Sequence, residues 1–313
     1  MFTERIVETG KERLHFRRET LTGLRCRISA ERIKRGINRS CPIEFSPDGC
    51  PFCGESLTSA TPFFPDGRRI HVGESVTFPN LYPFAEWHTV TVISRDHSVS
   101  SFSTEQLIDA FTGQLESLRG HDGYASINWN FLPSAGASLA HPHLQGLVDF
   151  QPSPLAARYL EGSEEYRKEH GRRYGDDLRK AGREAGRILM DGEILWLAHP
   201  VPLGEKEIRG ILPVSHLSGL GPFLGDLAKG LLDVIAFYEK LGTHAFNFSL
   251  FFDRVGCDHG FSAFCSIIAR INPNQLSMSD SSFMERLHLE PVILTMPEEL
   301  ARLYREWKGT ELT

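Results

Sequence analysis

The stretch Ser134-Ala-Gly-Ala-Ser-Leu-Ala-His141-Pro-His143-Leu-Gln145-Gly146 is the one the rest of the chain serves. Small residues from Ser134 to Ala140 cannot build a core and let backbone pass close to a ligand, whereas Leu144 to Phe150 reads as a buried strand. His141 and His143 therefore stand at the mouth of a strand. With one residue between them on extended chain they point to opposite sides, so one can face a metal and the other a substrate. Pro142 fixes the backbone between them. A His-X-His pair also falls near turns without any function, but the small-residue approach and Gln145 two residues on favour a site.

Outward from that stretch, 313 residues at 41% hydrophobic suffice for a large core, as one large or two smaller domains. A net charge of −6 and a pI near 6.1 argue against a nucleic-acid-binding surface. No apolar run approaches the roughly 20 residues of a membrane span, and Met1 to Arg18 is charged throughout, unlike a signal peptide. The expectation is a soluble, cytoplasmic chain without a membrane partner. Six cysteines are too few for a disulfide scaffold of this length, which leaves a metal or thiol role.

A turn signal, Ser46-Pro-Asp-Gly, runs into Cys50-Pro-Phe-Cys53 and out through Gly54. A glutaredoxin-like redox site would need a preceding strand and a helix starting at the motif, and the sequence displays neither, so a zinc knuckle is favoured. Two thiolates need two more ligands to close a tetrahedron. Of thirteen histidines, His97 stands out because it follows the strand-like Trp87 to Ser94 and begins a turn; His141 is the other candidate. Between knuckle and motif lies Thr77-Phe-Pro-Asn80-Leu-Tyr-Pro-Phe84. Core packing is the plainer account of it, and a nucleoside pocket the functional one, with the Asn80 amide on a base or ribose edge and Phe78 or Tyr82 against the ring. A helix follows from Ser103, with Ser103 and Gln106 as a capping box and Leu107, Ile108, Phe111, Leu115 and Leu118 on one face.

The pattern Asn130-x5-Gly136-Ala137-Ser138-x2-His141-Pro142-His143-x-Gln145 resembles galactose-1-phosphate uridylyltransferase and its relatives in the histidine-triad superfamily. The resemblance implies that His143 attacks the α-phosphorus of a nucleoside diphosphate sugar, and that Cys50, Cys53, His97 and His141 hold a structural zinc. It implies further that Phe78 and Asn80 contact base and ribose, that Ser138, Gln145 and Asn130 hold the phosphoryl group, and that the chain forms a homodimer. By their chemistry, the ring nitrogen of His143 not used for attack would donate to a backbone carbonyl, such as that of His141.

The second half repeats the first. Pro83, His97 and Asn128 recur 119 residues later as Pro202, His216 and Asn247, and Val92, Ile93, Leu115 and Ile127 map onto Ile211, Leu212, Val234 and Phe246. The same offset puts Gly260 opposite His141 and Ser262 opposite His143, so the second copy has lost the chemistry. The fold expected is α+β: two histidine-triad-like repeats, residues 1–187 and 188–313, forming a largely antiparallel sheet flanked by helices. Residues 152–187, charged and polar, read as a solvated helix crossing between halves, and the segment through Arg39 as a strand-forming or irregular arm.

The acceptor side departs from the resemblance. Phe261-Ser-Ala-Phe-Cys265 replaces a His-x-His, and Ser282 to His288 lacks a tyrosine of the segment that holds hexose phosphate in the family. The acceptor is left open between a sugar phosphate and inorganic phosphate, the latter making a phosphorylase of a nucleotide sugar or dinucleoside polyphosphate; water would make a hydrolase. A zinc-containing nucleotide-binding protein without turnover is the reading from another class. No Gly-x4-Gly-Lys-Ser/Thr loop supports a P-loop kinase.

Overall fold

The computed structural model describes residues 1–9, 12–35, 46–97, 101–271 and 281–309. Strands β1 (Phe2–Thr9), β2 (Glu12–Glu19) and β3 (Arg25–Ile28) open the chain, followed by the short helix α1 (Gly54–Ala60). The first repeat then runs β4 (Ile70–Val72), β5 (Ser75–Pro79), β6 (Trp87–Val92), α2 (Thr104–Leu118), β7 (Tyr124–Phe131) and β8 (His143–Asp149). Helices α3 (Pro154–His170) and α4 (Tyr174–Glu184) lead to β9 (Ile188–Asp191), β10 (Leu195–Ala198) and β11 (Ile208–Ile211). The second repeat closes with α5 (Leu224–Lys240), β12 (Ala245–Phe251) and β13 (Phe264–Arg270), and α6 (Phe283–Arg286), β14 (Val292–Ile293) and α7 (Pro297–Lys308) end the described chain.

Ten strands form one sheet in the order β4-β5-β6-β8-β7-β12-β13-β11-β10-β9, with every pairing antiparallel. The duplication is visible in it: moved by 119 residues, β6, α2, β7 and β8 fall on β11, α5, β12 and β13. The repeats meet where β7 pairs with β12, Asn130 opposite Asn247 and Asn128 opposite Ser249. Alternation along the strands sends Ile127, Trp129, Leu144, Phe246, Phe248 and Ile267 into the core under α2 and α5, and sends His143, Gln145, Asn128, Asn130 and Asn247 to the other face.

Helix α2 begins as the sequence predicts: Ser103 Oγ accepts from the Gln106 N–H, and the Gln106 side chain accepts from the Ser103 N–H. Its Gln114 is fully buried beneath the sheet, accepting from Thr89 Oγ1 at 3.0 Å and donating to Thr91 Oγ1 at 2.8 Å. Gly146 allows that approach, since a Cβ there would lie 2.0 Å from Gln114 Oε1.

Of the two alternatives for the opening arm, the structure has the strand-forming one: β1, β2 and β3 join β14 in a separate four-stranded sheet over a small core of Cys26, Ile28, Val201 and Ile293. Two expectations are corrected. The crossing segment is two helices, because Gly171 at φ +69° ends α3, and it is not merely solvated, because Tyr159, Leu160, Tyr174 and Leu178 are buried. A helix does start at the cysteine pair, with Cys53 as the N-cap of α1, although the described residues directly before the pair, 46–49, form no strand. No helix among the described residues is long and apolar enough to cross a membrane.

Candidate active site

The loop after β6 and the segment before β8 are tied together. The Ile93 N–H donates to the Pro142 carbonyl at 3.1 Å, and His141 Nε2 lies 2.9 Å from the Ser94 carbonyl. A ring that donates from Nε2 carries its lone pair on Nδ1, and that atom faces the knuckle, 3.8 Å from Cys50 Sγ and 3.3 Å from Cys53 Sγ. His97 Nδ1 lies 3.3 Å from the same Cys53 sulfur, while its Nε2 is buried without a partner among the described residues. One ligand atom from each of Cys50, Cys53, His97 and His141 lies within 4.8 Å of all the others.

These residues fit a tetrahedral zinc, whose bond lengths require ligand–ligand edges of about 3.4–3.8 Å. Both cysteines are free of disulfides, and burial together with the neighbouring Cys50 pushes the Cys53 thiol up to about 11, an unfavourable electrostatic situation that a dication relieves. The helix at the motif satisfies one sequence requirement of a redox site, but two imidazoles closing on the sulfurs are the geometry of a metal centre. With four protein ligands the ion would be structural, holding the β6 loop and the start of β8 together.

His143, 6% exposed, points away from the cluster. Its Nδ1 lies 2.8 Å from the His141 carbonyl, the arrangement expected from the sequence, and its Nε2 has no partner among the described residues. Burial pushes the imidazole toward its neutral form, against the hydrogen bond to the carbonyl. The knuckle's own Phe52 packs edge-on against it with ring centroids 5.4 Å apart, and also against Phe78 at 5.7 Å. A neutral ring with Nδ1–H fixed and Nε2 open has the chemistry of a nucleophile.

The other candidates fall around it. Gln145 follows on the same face of β8, and Asn130 lies on the neighbouring strand, accepting at Oδ1 from Asn247 Nδ2 at 2.7 Å. Gly136, at φ +89°, carries the small-residue loop past Asn130 Nδ2, which lies 4.0 Å from where a Cβ would sit. Ser138 is exposed in that loop, with no hydrogen bond to a described residue. Phe78 is 2% exposed in a small cluster with Val76, Val90 and Val92, and the Asn80 Oδ1 accepts from the Tyr82 N–H at 2.9 Å. The loop between β5 and β6 presents Leu81, Tyr82 and Phe84 to solvent, 56%, 81% and 73% exposed, which makes them the accessible apolar surface beside the buried Phe78.

Sequence reasoning missed two contributors. His88, 4% exposed on β6, reaches Gln145 Oε1 at 3.0 Å, and Arg270 reaches Asn247 Oδ1 at 2.6 Å. Both depend on strand pairing, and nothing in a single chain's alternation gives the register between β6 and β8 or between β12 and β13.

The fold is α+β, and its architecture is shared with solved structures of an ADP-glucose phosphorylase and uridylyltransferase-like proteins. No protein-family model matches the chain. An uncharacterised protein of Archaeoglobus fulgidus is 28% identical over 275 residues, covering 84% of this chain and 83% of the relative. An ADP-glucose phosphorylase from Arabidopsis thaliana with bound ADP-glucose superposes with a TM-score of 0.72 at 19% identity, covering 95% of this chain and 99% of that one. A GalT-like protein from Arabidopsis thaliana gives 0.73 and a uridylyltransferase 0.70, each at 18% identity over 95% of this chain and 99% of the other.

Proposed function

We propose that the protein is a nucleotidyltransferase acting on a nucleoside diphosphate sugar through a covalent nucleotidyl-histidine. The observation that carries this reading is His143: Nδ1 is held on the His141 carbonyl, Nε2 has no partner among the described residues, and Gln145 on the same strand and Asn130 on the neighbouring one share its face of the sheet. Nε2 forms a bond to the α-phosphorus as the bond to the leaving sugar 1-phosphate breaks. An acceptor phosphate oxygen then attacks phosphorus and the nitrogen–phosphorus bond breaks, returning a neutral imidazole. The amides, with Ser138, donate to the phosphoryl oxygens as charge builds there. Phe78 and Asn80 place base and ribose, and a zinc on Cys50, Cys53, His97 and His141 keeps the strand that presents His143 in place.

The reading also takes residues 1–187 as the catalytic half, residues 188–313 as its counterpart, and a homodimer as the assembly. For the acceptor, inorganic phosphate or a sugar phosphate serves the same covalent step. The fold shared with an ADP-glucose phosphorylase supports the former as strongly as the uridylyltransferase supports the latter. Incubation with uridine, adenosine and guanosine diphosphate sugars labelled in the α-phosphate, and with diadenosine polyphosphates, tests the reading. A labelled, acid-labile adduct on His143 that phosphate or a sugar phosphate discharges is expected; no adduct with any of them, and none bound near His143, would sink it.

A further inference from the structure

The two amides beside His143 are each gripped from behind by the carbonyl end. On one side, Gln145 Oε1 lies 3.0 Å from His88 Nε2. On the other, Asn130 Oδ1 accepts from Asn247 Nδ2 at 2.7 Å, and Asn247 Oδ1 in turn accepts from Arg270 Nη1 at 2.6 Å. An amide held by its oxygen offers only its NH2 end, and an NH2 end is what a phosphoryl group gaining negative charge needs.

The His88 contact has this sense only if Nε2 bears the proton, and its surroundings select that tautomer. The Phe84 N–H points at Nδ1 at 3.4 Å and needs a lone pair there. Asn80 Nδ2, 3.0 Å from Nε2, makes the opposite demand, and its amide cannot be reversed because Asn80 Oδ1 already accepts from the Tyr82 N–H. With Gln145 oriented as in the structure, a proton on Nε2 satisfies Gln145 and Phe84 and sets Asn80 Nδ2 donor against donor; a proton on Nδ1 satisfies Asn80 alone and sets Phe84 donor against donor. The orientation in the structure and the Phe84 N–H together take the first, and Asn80 Nδ2 is left with donor capacity for a ligand. At the far amide no tautomer is involved. Arg270 has no acceptor capacity, so it can only hold the oxygen of Asn247, and Asn247 must then donate to Asn130.

We propose that His88 and the Asn247–Arg270 pair are positioning residues that fix the amide polarity of Gln145 and Asn130, turning both NH2 groups toward the group transferred at His143. The inference rests on the transfer reading for the identity of that group, but the orientation itself does not. It also gives the second repeat a part in the chemistry: Asn247 and Arg270 reach across the β7–β12 seam to set Asn130.

Nitrogen-15 spectra of the zinc-loaded protein without substrate are expected to show His88 as the Nε2–H tautomer. The Nδ1–H tautomer or an imidazolium overturns the proposal at Gln145. In single-turnover adduct formation, Gln145→Ala removes the amide and sets the scale, a loss of roughly tenfold to a thousandfold. His88→Gln, whose amide nitrogen falls near Nε2, is expected to stay within about threefold of the parent, whereas His88→Asn, whose nitrogen falls near Nδ1, loses about tenfold or more. Asn247→Asp keeps its size and its Arg270 contact but cannot donate; it is expected to slow adduct formation by about tenfold with zinc content unchanged. Equal rates for His88→Gln and His88→Asn, or a parental rate for Asn247→Asp, overturn the proposal. Should the parent form no adduct at all, the transfer reading falls, and the His88 tautomer alone then supports or overturns the orientation of Gln145.

Discussion

Corresponding positions of the two repeats sit on equivalent strands of one sheet and do opposite things. In the first, His88, Val90, His143 and Gln145 leave a polar recess around an open imidazole nitrogen. In the second, the positions 119 residues on are Glu207, Arg209, Ser262 and Phe264, and the recess is filled. Arg209, 1% exposed, donates to Glu207 Oε1 at 2.6 Å and to Tyr159 Oη at 2.5 Å. Glu19 and His199, both fully buried, close the cluster with His199 Nε2 3.2 Å from Glu19 Oε1. Helices α3 and α4 lie over this half, so Tyr159 and Tyr174 occupy what would be substrate space. One scaffold thus supports either an open site or a plugged one, according to the polar residues on one face of the strands.

The largest expected effect lies at the residue that most separates the halves. His143→Asn removes the ring nitrogen proposed to attack phosphorus and is expected to abolish the labelled adduct while zinc content and the thermal transition stay at parental values. An adduct that survives would move the chemistry elsewhere and break the comparison. Next is the metal. Purified protein is expected to hold about one zinc per chain, and Cys50→Ser to lose it along with several kcal/mol of stability, seen as a melting temperature lower by about 10 °C. Zinc retained in that variant, or a Cys50–Cys53 disulfide, contradicts the tetrahedron.

How far these features could be read from the sequence follows from what each depends on. That Cys50, Cys53, His97 and His141 come together could be anticipated because each sits at a turn or a strand mouth that local composition marks. The repeat could be found because periodicity in the buried positions survives where the chemistry does not. The contacts of His88, Asn247 and Arg270 could not, because they arise from register across three pairs of strands. The plug in the second half was equally hidden: Glu19 lies on β2, 190 residues before Arg209, and only the packing of the small sheet and α3 brings them together.

That plug gives a pH prediction of intermediate size. Burial alone would raise the Glu19 carboxyl, but the hydrogen bond and charge of His199 and the charge of Arg209 outweigh it, so the group falls from 4.5 to about 2. Since the folded value is the lower one, the stabilisation is fully present above about pH 4.5 and is lost as pH falls from there toward 2. It amounts to about 3 kcal/mol. Melting temperatures are expected to be level from neutrality to about pH 5 and to decline below it, and Glu19→Gln to flatten that decline while starting from a lower value. A decline unchanged by Glu19→Gln would assign the acid sensitivity to other carboxylates.

The smallest expected effect is at a histidine the repeats share by identity. His216 occupies the position of His97, at the turn after β11 as His97 follows β6, and a reader of the sequence would give both the same task. Its surroundings say otherwise. His216 Nε2 donates to the Cys257 carbonyl at 2.8 Å, the counterpart of His141 is Gly260, and no group of possible metal ligands among the described residues includes His216. What His216 holds is the loop after β12, where the chain also bridges from His216 to Asp253. His216→Ala is therefore expected to leave zinc content and the rate of adduct formation unchanged and to cost about 1 kcal/mol through the lost hydrogen bond. His97→Ala in the same assay is expected to lose the metal. Loss of zinc from both variants would mean that the second repeat still takes part in the metal centre, and the division between an equipped and an emptied copy would have to be redrawn.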